Sequence, residues 1–158
     1  MAHFYFDADT QVKRYLAEKG SKWVKALLDA TSDDGEPMHE FYTVDISQVE
    51  VASAIAAAYR TRRIDADTRE EAFELHITES AETYQRLIAD ATIQSEATHL
   101  TQKYPLKAID AIHVATALQL NRSLGEYDLS LTLVSGDHQV LTAAKAEGLS
   151  TENPNDHE

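Results

Sequence analysis

The chain has 158 residues, 43% of them hydrophobic and 26% charged, a composition typical of one globular domain. It has no cysteine, which excludes disulfides, thiolate metal sites and cysteine nucleophiles and favours a reducing cytoplasm. A net charge of −13 opposes polyanion binding unless basic patches or metal ions act locally, and no apolar run is long enough to predict a membrane span.

The first half of the chain alternates between strand and helix patterns. An aromatic run predicts a buried strand at residues 3–7, and a β-rich segment predicts a second strand at 39–45. Helical periodicity predicts four helices, over 8–20, 21–31, 46–63 and 65–81, with Gly20 as the stop of the first and an exposed loop at 32–37.

The second half continues the alternation. Residues 84–89 fit either a third strand or a helix end, and we favour the strand. Helices are predicted at 92–104, 106–120 and 138–148, with a strand at 129–137. This order predicts a single α/β domain over 1–150, a small parallel sheet sandwiched between helices, and a polar C-terminal tail at 151–158.

Four acids occupy equivalent places along this pattern. Asp7 closes the first strand, and Asp137 follows the strand at 129–137. Glu50 and Asp110 lie near the starts of their helices. Ligands of open α/β sheets gather at the carboxyl ends of the strands, so we expect these four side chains to converge on one pocket.

Each acid also has a structural explanation. Glu50 lies in "SQVE", a capping-box pattern in which it would bond the backbone of Ser47. Asp110 and Asp137 would interact favourably with helix dipoles. Asp9 is either an additional acid of the pocket or the N-cap of the first helix, and we favour the cap.

The four acids together indicate a metal site more strongly than any one of them does alone. Carboxylates a few ångströms apart repel each other unless protons or cations compensate their charge. Oxygen ligands without a thiolate suit Mg²⁺ or Mn²⁺, which activate water for attack on a phosphodiester. We therefore predict a Mg²⁺ or Mn²⁺ site formed by Asp7, Glu50, Asp110 and Asp137.

Four segments resemble, in order and spacing, the motifs of PIN domains, especially the VapC-like toxins of bacterial toxin–antitoxin pairs. They are "YFDADTQVKRYLAEKGS", "SQVEVASAIAAA", "LKAIDAIHVATAL" and "LVSGDHQVLTAAKAEGL". The resemblance implies a Mg²⁺- or Mn²⁺-dependent endoribonuclease that leaves a 5′-phosphate and a 3′-hydroxyl, with the acidic quartet on the four residues above. It also implies that Ser135 helps to place water or substrate, and that a cognate antitoxin blocks the site.

Several further residues are candidates for a role in RNA binding or proton transfer. Lys13, Arg14 and Lys107 are predicted to contact the RNA backbone, whereas for the arginine cluster at 60–63 a solvated surface is at least as good an explanation. His113 lies three residues after Asp110 and fits a hydrogen-bonded packing residue better than a proton shuttle. A homodimer is expected from the resemblance and from the apolar face of the helix at 47–60.

Two other classes of function stay open. A PIN-like protein without catalytic activity would only bind RNA or a protein partner. A receiver-like phosphoacceptor module also clusters acids around Mg²⁺, but it needs a lysine on a late strand, where this chain has the acid of "LTLVSGD".

Overall fold

The computed structural model describes residues 1–157, which form a five-stranded parallel sheet with helices on both faces. The strands are β1 (Ala2–Phe6), β2 (His39–Val44), β3 (Tyr84–Leu87), β4 (Leu131–Val134) and β5 (Ser150–Glu152). Their order in the sheet is β3-β2-β1-β4-β5, and every neighbouring pair is parallel. The predicted α/β fold is confirmed, as is the strand favoured for the segment that begins at residue 84.

All seven predicted helices are present. They are α1 (Ala8–Tyr15), α2 (Ser21–Leu28), α3 (Ser47–Arg60), α4 (Ala66–Thr83), α5 (Ala91–Lys103), α6 (Ala108–Gly125) and α7 (His138–Ala146). The first helix ends at Tyr15 with Leu16 as its C-cap, and Gly20 is instead the N-cap of α2. Gly20 has a φ of 84°, and a Cβ there would lie 2.5 Å from the carbonyl oxygen of Pro154.

Both faces of the sheet are covered, which explains why the inner strands β1 and β4 are mostly apolar. Tyr5 and Leu133 face the helices α5, α6 and α7. Phe6 and Phe41 face α2 on the opposite side. The helices α1, α3 and α4 form a further apolar layer, in which the fully buried Val51 packs. In the described part of the chain, no helix has the length and hydropathy that crossing a bilayer requires.

The C-terminal segment belongs to the packed domain. The predicted boundary at residue 150 falls inside β5, which pairs with β4, and a 3-10 turn follows at Pro154–Asp156. The ring of His157 stacks on Trp23 of α2 at 4.3 Å between centroids. Polarity predicted a frayed tail here, but an edge strand can be polar because one of its sides is open to solvent.

The order of the strands creates a crevice at one position. From β1 the chain moves to β2 and β3 on one side of the sheet, and later to β4 and β5 on the other. Helices that follow strands on opposite sides of such a switch point diverge, which leaves a space beyond the carboxyl ends of β1 and β4. A binding site is therefore expected where Asp7 and Asp137 leave these two strands.

Candidate active site

A cleft of about 450 Å³ opens at this switch point. Its lining comes from four separate parts of the chain, the starts of α1, α3 and α6 and the turn between β4 and α7. The lining residues are Asp7, Ala8, Asp9, Glu50, Asp110, His113, Gly136 and Asp137. The fold therefore brings all four acids of the predicted quartet to one cleft, which we term the acid cleft.

Asp7 is positioned by the strand and the helix that it joins. It follows β1 directly and is the N-cap of α1, where its Oδ1 accepts a hydrogen bond from the backbone N–H of Thr10 at 2.8 Å. The side chain is buried. The expectation that Asp9 caps this helix is therefore wrong, because the helix begins two residues earlier, directly after Asp7. The second oxygen of Asp7 takes no part in the cap.

Asp137 is held in the same way at the neighbouring strand. It is the N-cap of α7, and its Oδ1 accepts hydrogen bonds from the N–H groups of Gln139 at 2.7 Å and Val140 at 3.4 Å. The hydroxyl of the fully buried Ser135 accepts the N–H of Asp137 at 3.0 Å. Ser135 therefore orients the backbone of an acid of the cleft, and it does not line the cleft itself.

Glu50 has a different partner from the one that its sequence pattern suggests. The N-cap of α3 is Ile46, and the side chain of Ser47 bonds Val44 and Thr43, so no capping box forms. Instead, Glu50 Oε1 lies 2.7 Å from Nε2 of His113, 63 residues further along the chain. The capping role considered for Glu50 is wrong, because its carboxylate points across to α6.

His113 connects Glu50 to the centre of the sheet. Its Nδ1 lies 2.8 Å from the hydroxyl of Tyr5 on β1, and the imidazole is almost fully buried. A carboxylate can only accept, so Nε2 donates its proton to Glu50, which leaves Nδ1 to accept the hydroxyl proton of Tyr5. Burial, followed by the charge of Asp7, holds the Tyr5 pKa well above its usual value, which keeps this donor protonated. The expected hydrogen-bonded packing role of His113 is confirmed.

Asp110 is the acid whose environment opposes its charge. It is half-buried in the first turn of α6, whose N-cap is Lys107 and which has no side-chain cap. Within residues 1–157 its carboxylate has no hydrogen-bond partner. Desolvation by burial, followed by the charge of Asp137, raises the pKa of Asp110. The side chain therefore does not serve as a cap.

Asp9 and Gly136 meet at the rim of the acid cleft. Desolvation, followed by the charge of Asp7, raises the pKa of Asp9. A Cβ at Gly136 would lie 2.6 Å from Asp9 Oδ2 and 2.9 Å from Asn155 Nδ2, so a larger residue there would displace the ends of these two side chains. The sequence analysis did not identify Gly136 or Asn155, because nothing local in the sequence shows that the C-terminal turn passes this point.

The donor atoms of the acid cleft suit a hard divalent cation. They are carboxylate oxygens, and both nitrogens of His113 are already hydrogen-bonded. Mg²⁺ and Mn²⁺ prefer such oxygen ligands, so the residues present fit either ion. As residues 1–157 are placed, no three acidic or histidine side chains stand close enough together to form a preassembled metal site. Repulsion between uncompensated carboxylates favours such a spread arrangement.

Two of the three cations predicted to contact RNA are engaged within the fold. Lys13 is buried, and its Nζ donates to Glu18 Oε1 and to the carbonyl of Lys19, both at 3.0 Å. Arg14 donates through Nε to Glu79 at 2.6 Å and also pairs with Asp29. The burial of Lys13 contradicts the prediction for that residue, whereas Arg14 keeps 20% of its side chain exposed but already pairs with two carboxylates. Lys107 is exposed and immediately precedes α6.

Residues 6–145 match the sequence profile of the PIN domain, a range that begins at the last residue of β1 and contains β4 and all four acids. The chain belongs to the PIN domain family. This PIN domain is 28% identical over 144 residues to Ribonuclease VapC45 of Mycobacterium tuberculosis (strain CDC 1551 / Oshkosh), which covers 91% of this chain and 90% of the relative.

Solved structures share the fold. FitAcB from Neisseria gonorrhoeae matches with a TM-score of 0.64 at 16% identity, over 98% of this chain and 99% of that one. A toxin–antitoxin complex from Klebsiella pneumoniae matches with a TM-score of 0.57 at 19% identity, over 98% of each chain.

Proposed function

We propose that this PIN domain is a Mg²⁺- or Mn²⁺-dependent endoribonuclease. The observation that carries the proposal is the acid cleft, in which four carboxylates from four separate parts of the chain surround one space at the switch point. The similarity to a protein named as a ribonuclease, over nine-tenths of both chains, supports RNA as the substrate.

Asp7, Glu50, Asp110 and Asp137 would hold the cation. A bound divalent ion would lower the pKa of a coordinated water and stabilise the charge that develops on the phosphate during hydrolysis. Asp7 and Asp137 each use Oδ1 for a helix cap and keep Oδ2 for a ligand. Burial and the charge of Asp137 raise the pKa of Asp110, and a cation at this position would offset both effects.

The surrounding residues would keep these ligands in place during the reaction. Ser135 fixes the backbone of Asp137, and the Tyr5–His113 pair fixes Glu50 through two hydrogen bonds. Because Tyr5 is on the central strand and is fully buried, the chain of bonds starts from the centre of the sheet. Such support matters since small displacements of catalytic groups cost large factors in rate.

The partners of the enzyme are part of the same proposal. The structural match to a toxin–antitoxin complex supports a role as the toxin of such a pair, with a cognate antitoxin that blocks the acid cleft. We also propose a homodimer. The apolar face of α3 on which this expectation was based is covered by α1 and α4, but Phe73 and Ile77 present apolar surface one turn apart on the outside of α4.

The test is an RNA cleavage assay with a metal titration. We expect the protein to cleave single-stranded RNA in Mg²⁺ or Mn²⁺ and to lose this activity in EDTA, with recovery when excess metal is added. Asp7→Asn, which retains the helix cap, serves as the inactive control for a contaminating nuclease. Full activity in EDTA would contradict the metal mechanism, and RNA binding without cleavage under every metal condition would favour the non-catalytic binding module.

A further inference from the structure

An apolar groove leads away from the acid cleft. The groove has a volume of about 270 Å³ and shares Ala8, Asp9 and Glu50 with the cleft. Val12, Leu16 and Ala54 form its apolar floor, and charged residues stand at its two ends, Asp9 and Glu50 at the cleft and Glu18 and Arg63 at the other end. The cleft and the end of α3 are therefore connected by a continuous depression in the surface.

At the end of this groove lies a basic hollow of about 660 Å³, which we term the arginine corner. It is formed by the turn between α3 and α4 and is lined by Tyr59, Arg60, Arg62 and Arg63 together with three residues that begin the next segment. Four of the seven arginines of the chain fall within residues 60–69, against two acids in that stretch. In a chain with a net charge of −13, this is a local excess of positive charge.

The fold does not need these arginine side chains. Backbone hydrogen bonds close the end of α3, from the N–H of Arg62 to Tyr59 and from the N–H of Arg63 to Ala58. Arg60 and Arg62 are exposed, and neither forms an ion pair within the described range 1–157. Arg63 donates to Glu18 while 55% of its side chain stays exposed. Interaction with the helix dipole accounts for one cation at this helix end, not three.

We propose that the arginine corner binds the phosphates of the RNA strand whose scissile bond lies in the acid cleft, with the intervening nucleotides in the apolar groove. This inference rests on the proposed function. Guanidinium groups bind phosphate through paired hydrogen bonds, and the apolar groove offers a surface for bases. Tyr59 adds an aromatic surface, since the residue is 38% exposed and its ring centroid lies 4.4 Å from the guanidinium of Arg69.

Charge explains why the RNA contact must be local. The overall field repels a polyanion, and Lys13 and Arg14 are neutralised inside the fold. The arginine corner supplies positive charge at one end of the groove, and a cation in the acid cleft would supply it at the other. An RNA strand would thereby be held at two points, which defines the path of the strand along the groove.

The test compares two triple variants in the cleavage-deficient Asp110→Asn protein, using a fluorescent single-stranded RNA and anisotropy across a salt titration. The first variant combines Arg60→Gln, Arg62→Gln and Arg63→Gln, and we expect it to bind the RNA about tenfold or more weakly. We also expect the slope of log K against log salt concentration to become shallower by about 2, because each lost phosphate contact contributes roughly 0.7. The control, Lys19→Gln with Lys22→Gln and Lys25→Gln, removes the same charge from exposed positions around α2 and should change binding little.

The outcomes separate this inference from the proposed function. If the protein cleaves RNA but the arginine triple variant binds it as tightly and with the same salt slope, the arginine corner is not the RNA surface and the proposed function stands. An equal loss in both triple variants would also overturn the inference, since it would reflect net charge alone. If the arginine triple variant binds RNA normally but no longer binds an acidic antitoxin, the arginine corner is a protein-binding surface and the RNA assignment fails. If the unaltered protein neither binds nor cleaves RNA, the proposed function itself is overturned.

Discussion

The side chains of Asp7 and Asp137 each cap a helix and also line the acid cleft. Each accepts backbone N–H groups at the start of a helix through Oδ1, and each lies on the acid cleft. Replacement by alanine removes both the cap and the charge, and caps are worth about 1 kcal/mol. Asparagine retains the cap, so it is the substitution that isolates the charge.

Asp110 makes no such structural bond, and its removal should therefore be tolerated. The pKa of Asp110 is raised in the folded protein, so its ionised form lowers the free energy of unfolding at neutral pH. This penalty shrinks as the pH falls through the raised pKa and is gone below the ordinary carboxyl pKa. At neutral pH, metal-free Asp110→Asn should melt at the temperature of the unaltered protein or slightly above it.

Mn²⁺ should separate the two proteins. In the unaltered protein, an ion that binds only the folded state adds about 2.7 kcal/mol of stability at a hundredfold excess over its dissociation constant. Asp110→Asn should lose most of this stabilisation together with RNA cleavage. Thermal melts of both proteins across a Mn²⁺ titration measure the difference. An undiminished shift in the variant would mean that Asp110 is not a ligand.

Glu50 allows its bond to His113 to be tested apart from its charge. In Glu50→Gln the amide oxygen still accepts the proton of Nε2, so the Tyr5–His113 chain stays intact and the unfolding free energy should change little. Glu50→Ala leaves that buried donor without its partner and should cost about 1–3 kcal/mol. We expect cleavage to be lost in both variants. Near-normal cleavage by Glu50→Gln, measured beside urea unfolding curves, would assign Glu50 to a structural role only.

The element that departs most from its sequence pattern is the C-terminal segment. The carbonyl of Glu152 accepts the N–H of Ser135, and Ser135 in turn accepts the N–H of Asp137. The segment also brings Pro154 against Gly20 and Asn155 against Gly136. It therefore supports the acid cleft from behind although it lies outside the residues that match the family.

Removing this segment should damage both stability and activity. A chain that ends at Leu149 loses the pairing of β5 with β4, the bond to Ser135 and the stacking of His157 on Trp23. At about 1 kcal/mol for each net hydrogen bond, we expect the unfolding free energy to fall by roughly 3 kcal/mol. Urea unfolding measures this loss, with a chain that lacks only residue 158 as the control. An unchanged unfolding midpoint would show that the segment behaves as the polar tail first predicted.

At the scale of the whole molecule, α4 presents the surface that we propose for self-association. Phe73 is 45% exposed and Ile77 41%, and their spacing places them on one face of the helix. We expect sedimentation to show a homodimer at micromolar concentration, and Phe73→Glu with Ile77→Glu to convert it to a monomer. Tyr127→Glu alters an equally apolar exposed position at the end of α6 and should leave the dimer intact. A monomeric unaltered protein would contradict the homodimer.

The sequence by itself determined the elements and the identity of the acids on the cleft. Helix and strand patterns depend on residues within a few positions of each other, so periodicity placed seven helices and four of the five strands. The rule that sites lie at the carboxyl ends of parallel strands then selected Asp7 and Asp137. Strand β5 escaped detection because three polar residues at a sheet edge carry no local apolar period.

Only the tertiary structure decided which groups meet. The order β3-β2-β1-β4-β5 places β1 beside β4, and nothing local in either strand specifies that neighbour. The same holds for the bond between Glu50 and His113, where the local sequence suggested a capping box. It also holds for the burial of Lys13, for which the local sequence predicted an RNA contact. Local patterns cannot resolve such pairings, because their free energy comes from desolvation and contact between segments that are distant in the chain and become neighbours only when the core forms.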